Sequence, residues 1–107
     1  MFAEENESLI EQAIENELNK ISKDHGEKYN SPHEGYAVLL EEVLEAKEDL
    51  SKIRHYLKQT FGSIRGNDTD CRDTYVRWIH ANAVELALEA VQVAAVCEKF
   101  MLGTVHD

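Results

Sequence analysis

The stretch SPHEGYAVLLEEVLEAKEDLSKIRHYL, Ser31 to Leu57, reads as one long amphipathic helix with a well-marked start. Ser31 can cap, Pro32 suits the first helical turn, and Glu34 falls where the carboxylate of a capping box reaches back. Tyr36, Leu39, Val43, Ala46, Leu50, Ile53 and Leu57 then recur at alternating spacings of three and four, the seam expected for antiparallel packing in a helical bundle. The helix is expected to end near Thr60. Phe61 to Thr69, with Gly62, Gly66, Asn67 and Asp68, reads as a flexible loop carrying Arg65.

Working outward, Ala3 to Lys23 carries Leu9, Ile10, Ala13, Ile14, Leu18 and Ile21 on one apolar stripe, with acidic and amide residues elsewhere. Gly26 is a natural stop, and Asp24 to Asn30 reads as a connecting loop. A third helix is expected from about Asp70 to Leu102, followed by a short tail from Gly103 to Asp107. Between Ala83 and Cys97 this helix is apolar on nearly every face and rich in alanine, so it is expected to be the innermost element. No strand pattern competes. The fold class is all-α: an antiparallel bundle of three main helices forming a single domain over residues 1–107.

Composition excludes several functions. With 21 acidic residues against 11 basic ones the net charge is -10, so the chain repels polyanions and any phosphate ligand needs a bridging cation. A hydrophobic content of 43% is nevertheless enough for a core. The longest uninterrupted apolar run, around Val93 to Cys97, is far short of the ~20 residues of a membrane span, and the N-terminus lacks the basic start of a secretory signal. Cys71 and Cys97 form no metal-binding or disulfide motif. A cytoplasmic protein with neither nucleic acid nor membrane as a direct partner is expected.

Glu85, Glu89 and Gln92 are the polar residues inside the apolar stretch, and they fall within an arc of about 60° beside Asn82. Two glutamates on one line of a core helix require partners, which a structural hydrogen-bond network, an oligomer edge or a metal can supply. On the second helix Glu41, Glu42, Glu45, Glu48 and Asp49 spread over about 120° of one face, a pattern that serves equally as a solvated surface. Together the two faces are what a two-helix site for magnesium requires. Lys99 continues the Glu85–Gln92 face and offers positive charge to a phosphate, as do Arg54, Lys58 and Arg65. A ferritin-like di-iron site is excluded, because none of the five histidines stands three residues after a glutamate.

The segment His33 to Glu45, with Glu41-Glu42-Val43-Leu44-Glu45, resembles the Glu-Glu-x-x-Glu helix of MazG-like all-α nucleoside triphosphate pyrophosphohydrolases. Glu89-Ala90-Val91-Gln92 resembles the later Glu-x-x-Asp helix of that family, in a form found among phage and prophage relatives. The resemblance covers mainly the second and third helices. It implies hydrolysis of a small nucleotide to monophosphate and pyrophosphate, with Mg2+ (or Mn2+) as cofactor. Glu42, Glu45 and Glu89 would be metal ligands, and Glu41 would assist or position water. Gln92 stands where the family has Asp, which removes one negative charge, and Glu85 one turn earlier could compensate. The family assembles as dimers or tetramers, and an all-round apolar third helix suits burial against another subunit. A different class of function also fits: a catalytically silent oligomeric phage accessory or regulatory protein, with Gln92 marking a lapsed site.

Overall fold

A computed structural model describes residues 3–107 as an all-helical chain: α1 (Glu4–His25), α2 (Pro32–Arg65) and α3 (Thr69–Met101). The acidic residues Glu4, Glu5 and Glu7 crowd the first turn of α1, while Lys23 and His25 lie in its last, both complementary to the helix dipole. Gly26 ends the helix at φ 89°, a left-handed conformation that glycine tolerates, and its N–H donates to the Ser22 carbonyl at 2.9 Å.

The start of α2 follows the expectation with one shift. The Glu34 N–H donates to Ser31 Oγ at 3.2 Å, as a cap should. The Glu34 carboxylate reaches back past the cap to Asn30, accepting from its Nδ2 at 3.0 Å and its backbone N–H at 3.4 Å. At its far end α2 runs to Arg65, five residues beyond Thr60. Gly62 inside a helix costs only about 1 kcal/mol relative to alanine. The hydroxyls of Thr60 and Ser63 donate back to the Tyr56 and Gln59 carbonyls, at 2.8 and 3.0 Å, so neither competes with the helix. The turn is confined to Gly66–Asp68, where Asn67 takes φ 55° and Asp68 Oδ1 accepts the Cys71 N–H at 3.0 Å to start α3. That bond holds the Asp68 carboxyl below its ordinary value.

The chain forms two compact units, Met1–Val43 with Ala90–Asp107 and Leu44–Glu89. In the second, α2 and α3 run antiparallel around an aromatic cluster: Tyr56 stacks on Tyr75 at 6.2 Å between centroids, and Trp78 meets both rings, at 5.2 and 5.5 Å. In the first, the tail is tied to the α1–α2 connection by a parallel bridge between Tyr29 and Thr104. The Val105 and His106 N–H groups donate to the Tyr29 and Asn30 carbonyls at 2.9 and 2.7 Å.

Of the three helices α3 holds the most buried residues, but this burial is confined to its last turns, within the first unit. Among the described residues only Ala95, Val96 and Lys99 of this helix are buried, whereas Leu88 is 54% and Trp78 46% exposed. The physical reason lies in the Leu44–Glu89 unit, where a pair of helices covers only the faces turned toward each other. By length and composition α3 also reaches the threshold for crossing a membrane, which its longest uninterrupted apolar run does not. Mostly buried core helices of soluble proteins meet the same criterion, whereas 11% of this window is buried, and the helix carries Glu85 and Glu89.

Within the first unit Gly35 packs closely against Phe100. A Cβ there would lie 2.6 Å from two atoms of the Phe100 ring, which is itself held edge-on to Tyr29. Gly35→Ala is expected to lower stability by about 1–2 kcal/mol despite its better helix propensity, because overpacking outweighs that gain. Urea denaturation checks the loss, and Phe100→Leu in the same chain should relieve most of it.

Candidate carboxylate site and adjoining cleft

Residues singled out from the sequence separate clearly once placed. Glu45 and Glu89 both belong to the Leu44–Glu89 unit, and Glu42 stands one turn before Glu45 on the same helix. Each of the three offers a carboxylate oxygen, and these atoms all lie within 4.8 Å of one another. Glu42 and Glu89 are half-buried and Glu45 is exposed. Helical spacing accounts for the first pair, since residues three apart share a face.

Neither Glu41 nor Glu85 belongs to this group. Glu41 is exposed, as is Glu45 one turn later. Glu85 is exposed as well, one turn before Glu89, and does not compensate at the group. Gln92 is half-buried one turn beyond Glu89. Along the acidic strip of α2, Glu48 pairs with Lys52 at 3.7 Å on the surface, as a solvated face does. Arg65 lies over the Phe61 ring at 5.7 Å, and Arg54 and Lys58 are exposed.

Lys99 is the residue whose placement changes most. It is only 1% exposed, and its ammonium sits 4.2 Å from the centroid of the Tyr29 ring. A buried cation needs compensation, and a ring face supplies about 2 kcal/mol when the pair is desolvated. Lys99 lines a cleft of about 300 Å³ in the first unit together with Ile21, His25, Tyr29, Glu34, Val38, Glu42 and Val96. Glu42 thus belongs both to the carboxylate group and to the cleft. The sequence offered no signal for Tyr29, which lies within the α1–α2 connection, while His25 extends the Ile14–Leu18–Ile21 stripe to the last residue of α1. Glu34 was legible only as a cap.

The cleft is electrostatically specific. Burial pushes the Tyr29 phenol above its ordinary value of 10.0, and the nearby carboxylates of Glu34 and Glu42, with a further contribution from Cys97, push it the same way. No family model matches the chain, and neither a curated protein nor a solved structure is significantly similar to it.

A phenol that holds its proton more tightly in the folded chain contributes stability in full below its unfolded value, and loses it as the pH rises through the folded one. Stability should therefore fall above about pH 10, where tyrosine ordinarily ionises. Tyr29→Phe should flatten that alkaline decline, as read from urea midpoints on both sides of the transition.

Proposed function

We propose that the chain is a MazG-like, magnesium-dependent nucleoside triphosphate pyrophosphohydrolase, working in the cytoplasm as a homodimer or homotetramer. The observation that carries this reading is the gathering of Glu42, Glu45 and Glu89. These are the three carboxylates that the resemblance marks as ligands, and they come from two different helices. The donor set suits a hard cation, which takes carboxylate oxygens at about 2.0–2.1 Å, so that two ligands of one ion lie up to about 4.2 Å apart. The three oxygens, within 4.8 Å of one another, lie close to that spacing.

Glu42, Glu45 and Glu89 would hold the ion, which when bound supplies neutralisation of the triphosphate and a water of lowered pKa. Glu41, one turn before Glu45 on the exposed side of α2, would orient a water and take its proton as the oxygen attacks the α phosphorus in line. An oxygen–phosphorus bond forms there as the bond to the bridging oxygen breaks, releasing monophosphate and pyrophosphate. Lys99 would present its ammonium to the nucleotide from the cleft that Glu42 also lines. Open apolar side chains such as Leu57, 60% exposed, and Leu88 support assembly with further copies of the chain. One observation favours a second reading, a silent accessory or regulatory protein of the same fold: the neutral amide of Gln92 where the family carries a charge.

Incubation with a panel of ribo- and deoxyribonucleoside triphosphates and magnesium should release pyrophosphate. Glu45→Gln and Glu89→Gln should each reduce the rate by more than about 100-fold, beyond what loss of an outer-sphere partner gives. Release unchanged in both variants would remove the assigned ligands, and no release from any nucleotide would leave the silent reading. Magnesium or manganese should raise Tm, and Gln92→Asp should enlarge that rise. Sedimentation equilibrium should give the mass of two or four chains.

A further inference from the structure

The cleft of the first unit has a polarity that narrows what can enter it. Glu34 and Glu42 present carboxylates, and the buried ammonium of Lys99 lies among them over the Tyr29 ring. A small anion meets two negative groups, and a small cation meets a buried positive one that cannot turn away into solvent. The ligand best matched is neutral, and offers hydrogen-bond donors to a carboxylate and an acceptor to an ammonium on the same molecule. Val38 and Val96 add aliphatic walls suited to a flat ring. At about 300 Å³ the cleft is at the lower limit of ligand pockets, the size of one small ring system with its attachments.

Glu34 can take the donor side while keeping its structural bonds. Its two oxygens accept from Asn30, at 3.0 and 3.4 Å, and a carboxylate has about four lone-pair sites. Those bonds also fix its orientation at the first turn of α2, so little freedom is lost on binding. Lys99, held at 4.2 Å by the ring, is likewise positioned in advance.

We propose that this cleft receives the base of a nucleoside and selects bases carrying an exocyclic amino group next to an acceptor. The amino group donates to the Glu34 carboxylate, and a ring nitrogen or carbonyl oxygen accepts from the Lys99 ammonium. Uracil and thymine, with carbonyls on both sides of their single ring N–H, set a second acceptor against the carboxylate and are disfavoured. The inference deepens the pyrophosphohydrolase reading and rests on it for the direction of the phosphates, toward the Glu42 end.

Binding of cytidine, guanosine, adenosine and uridine to the full chain, measured by calorimetry in EDTA, tests the pocket without metal or hydrolysis. At least one amino-bearing nucleoside should bind about tenfold or more tighter than uridine. Glu34→Gln should abolish that preference, and Lys99→Met, which keeps the stem and removes the ammonium, should weaken binding of the preferred nucleoside about tenfold, with circular dichroism checking the fold of both. No binding at millimolar nucleoside, equal binding of all four, or a preference that survives Glu34→Gln overturns the proposal. Selective nucleoside binding without pyrophosphate release from any triphosphate would remove the hydrolase reading alone. Hydrolysis without base preference would remove the pocket alone.

Discussion

The ammonium of Lys99 over the ring of Tyr29 is the contact on which the first unit depends. A lysine with 1% of its surface exposed has left water, and a group in that position must be compensated where it lies. Its position at 4.2 Å from the ring centroid ties the last turn of α3 to the α1–α2 connection. Phe100, the next residue, meets the same ring edge-on and fills the space that Gly35 leaves open on α2. The tail then adds main-chain bonds to Tyr29 and Asn30. The start of α2, the end of α3 and the tail thus meet around one aromatic residue that lies in neither a helix nor a periodic pattern.

The Leu44–Glu89 unit obeys a different constraint. Two antiparallel helices cover one stripe of each only in part, and the ring contacts of Tyr56, Tyr75 and Trp78 lie along it. Everything off that line stays open, including Leu50, Leu57, Val84 and Leu88. The apolar character of α3 is therefore the composition of a helix with more faces than one neighbour can cover. The same composition makes the helix long and apolar enough to pass for a membrane span.

Much of the architecture was legible because it is local. Ser31, Pro32 and Glu34 mark a helix start through capping chemistry that acts over four residues, and Gly26 marks a helix end through a backbone angle. The end of α2 was misplaced because Gly62 resembles a breaker, whereas one glycine costs a long helix little and the turn needed only Gly66–Asp68. Helical spacing likewise placed Glu42 and Glu45 on one face. Periodicity could not say which glutamate of α3 would meet them, and it put Glu85, Glu89 and Gln92 forward together.

By itself the sequence determined the all-helical class, three helices with most of their boundaries, the acidic balance and the carboxylates on α2. Each follows from interactions within a few turns of chain. Only the tertiary structure decided that Glu85 stays exposed outside the carboxylate group, that Lys99 is buried against Tyr29, and that Glu34 faces a cleft. Those outcomes depend on how distant segments approach each other, and a one-turn difference along a helix is invisible to a pattern that repeats every turn.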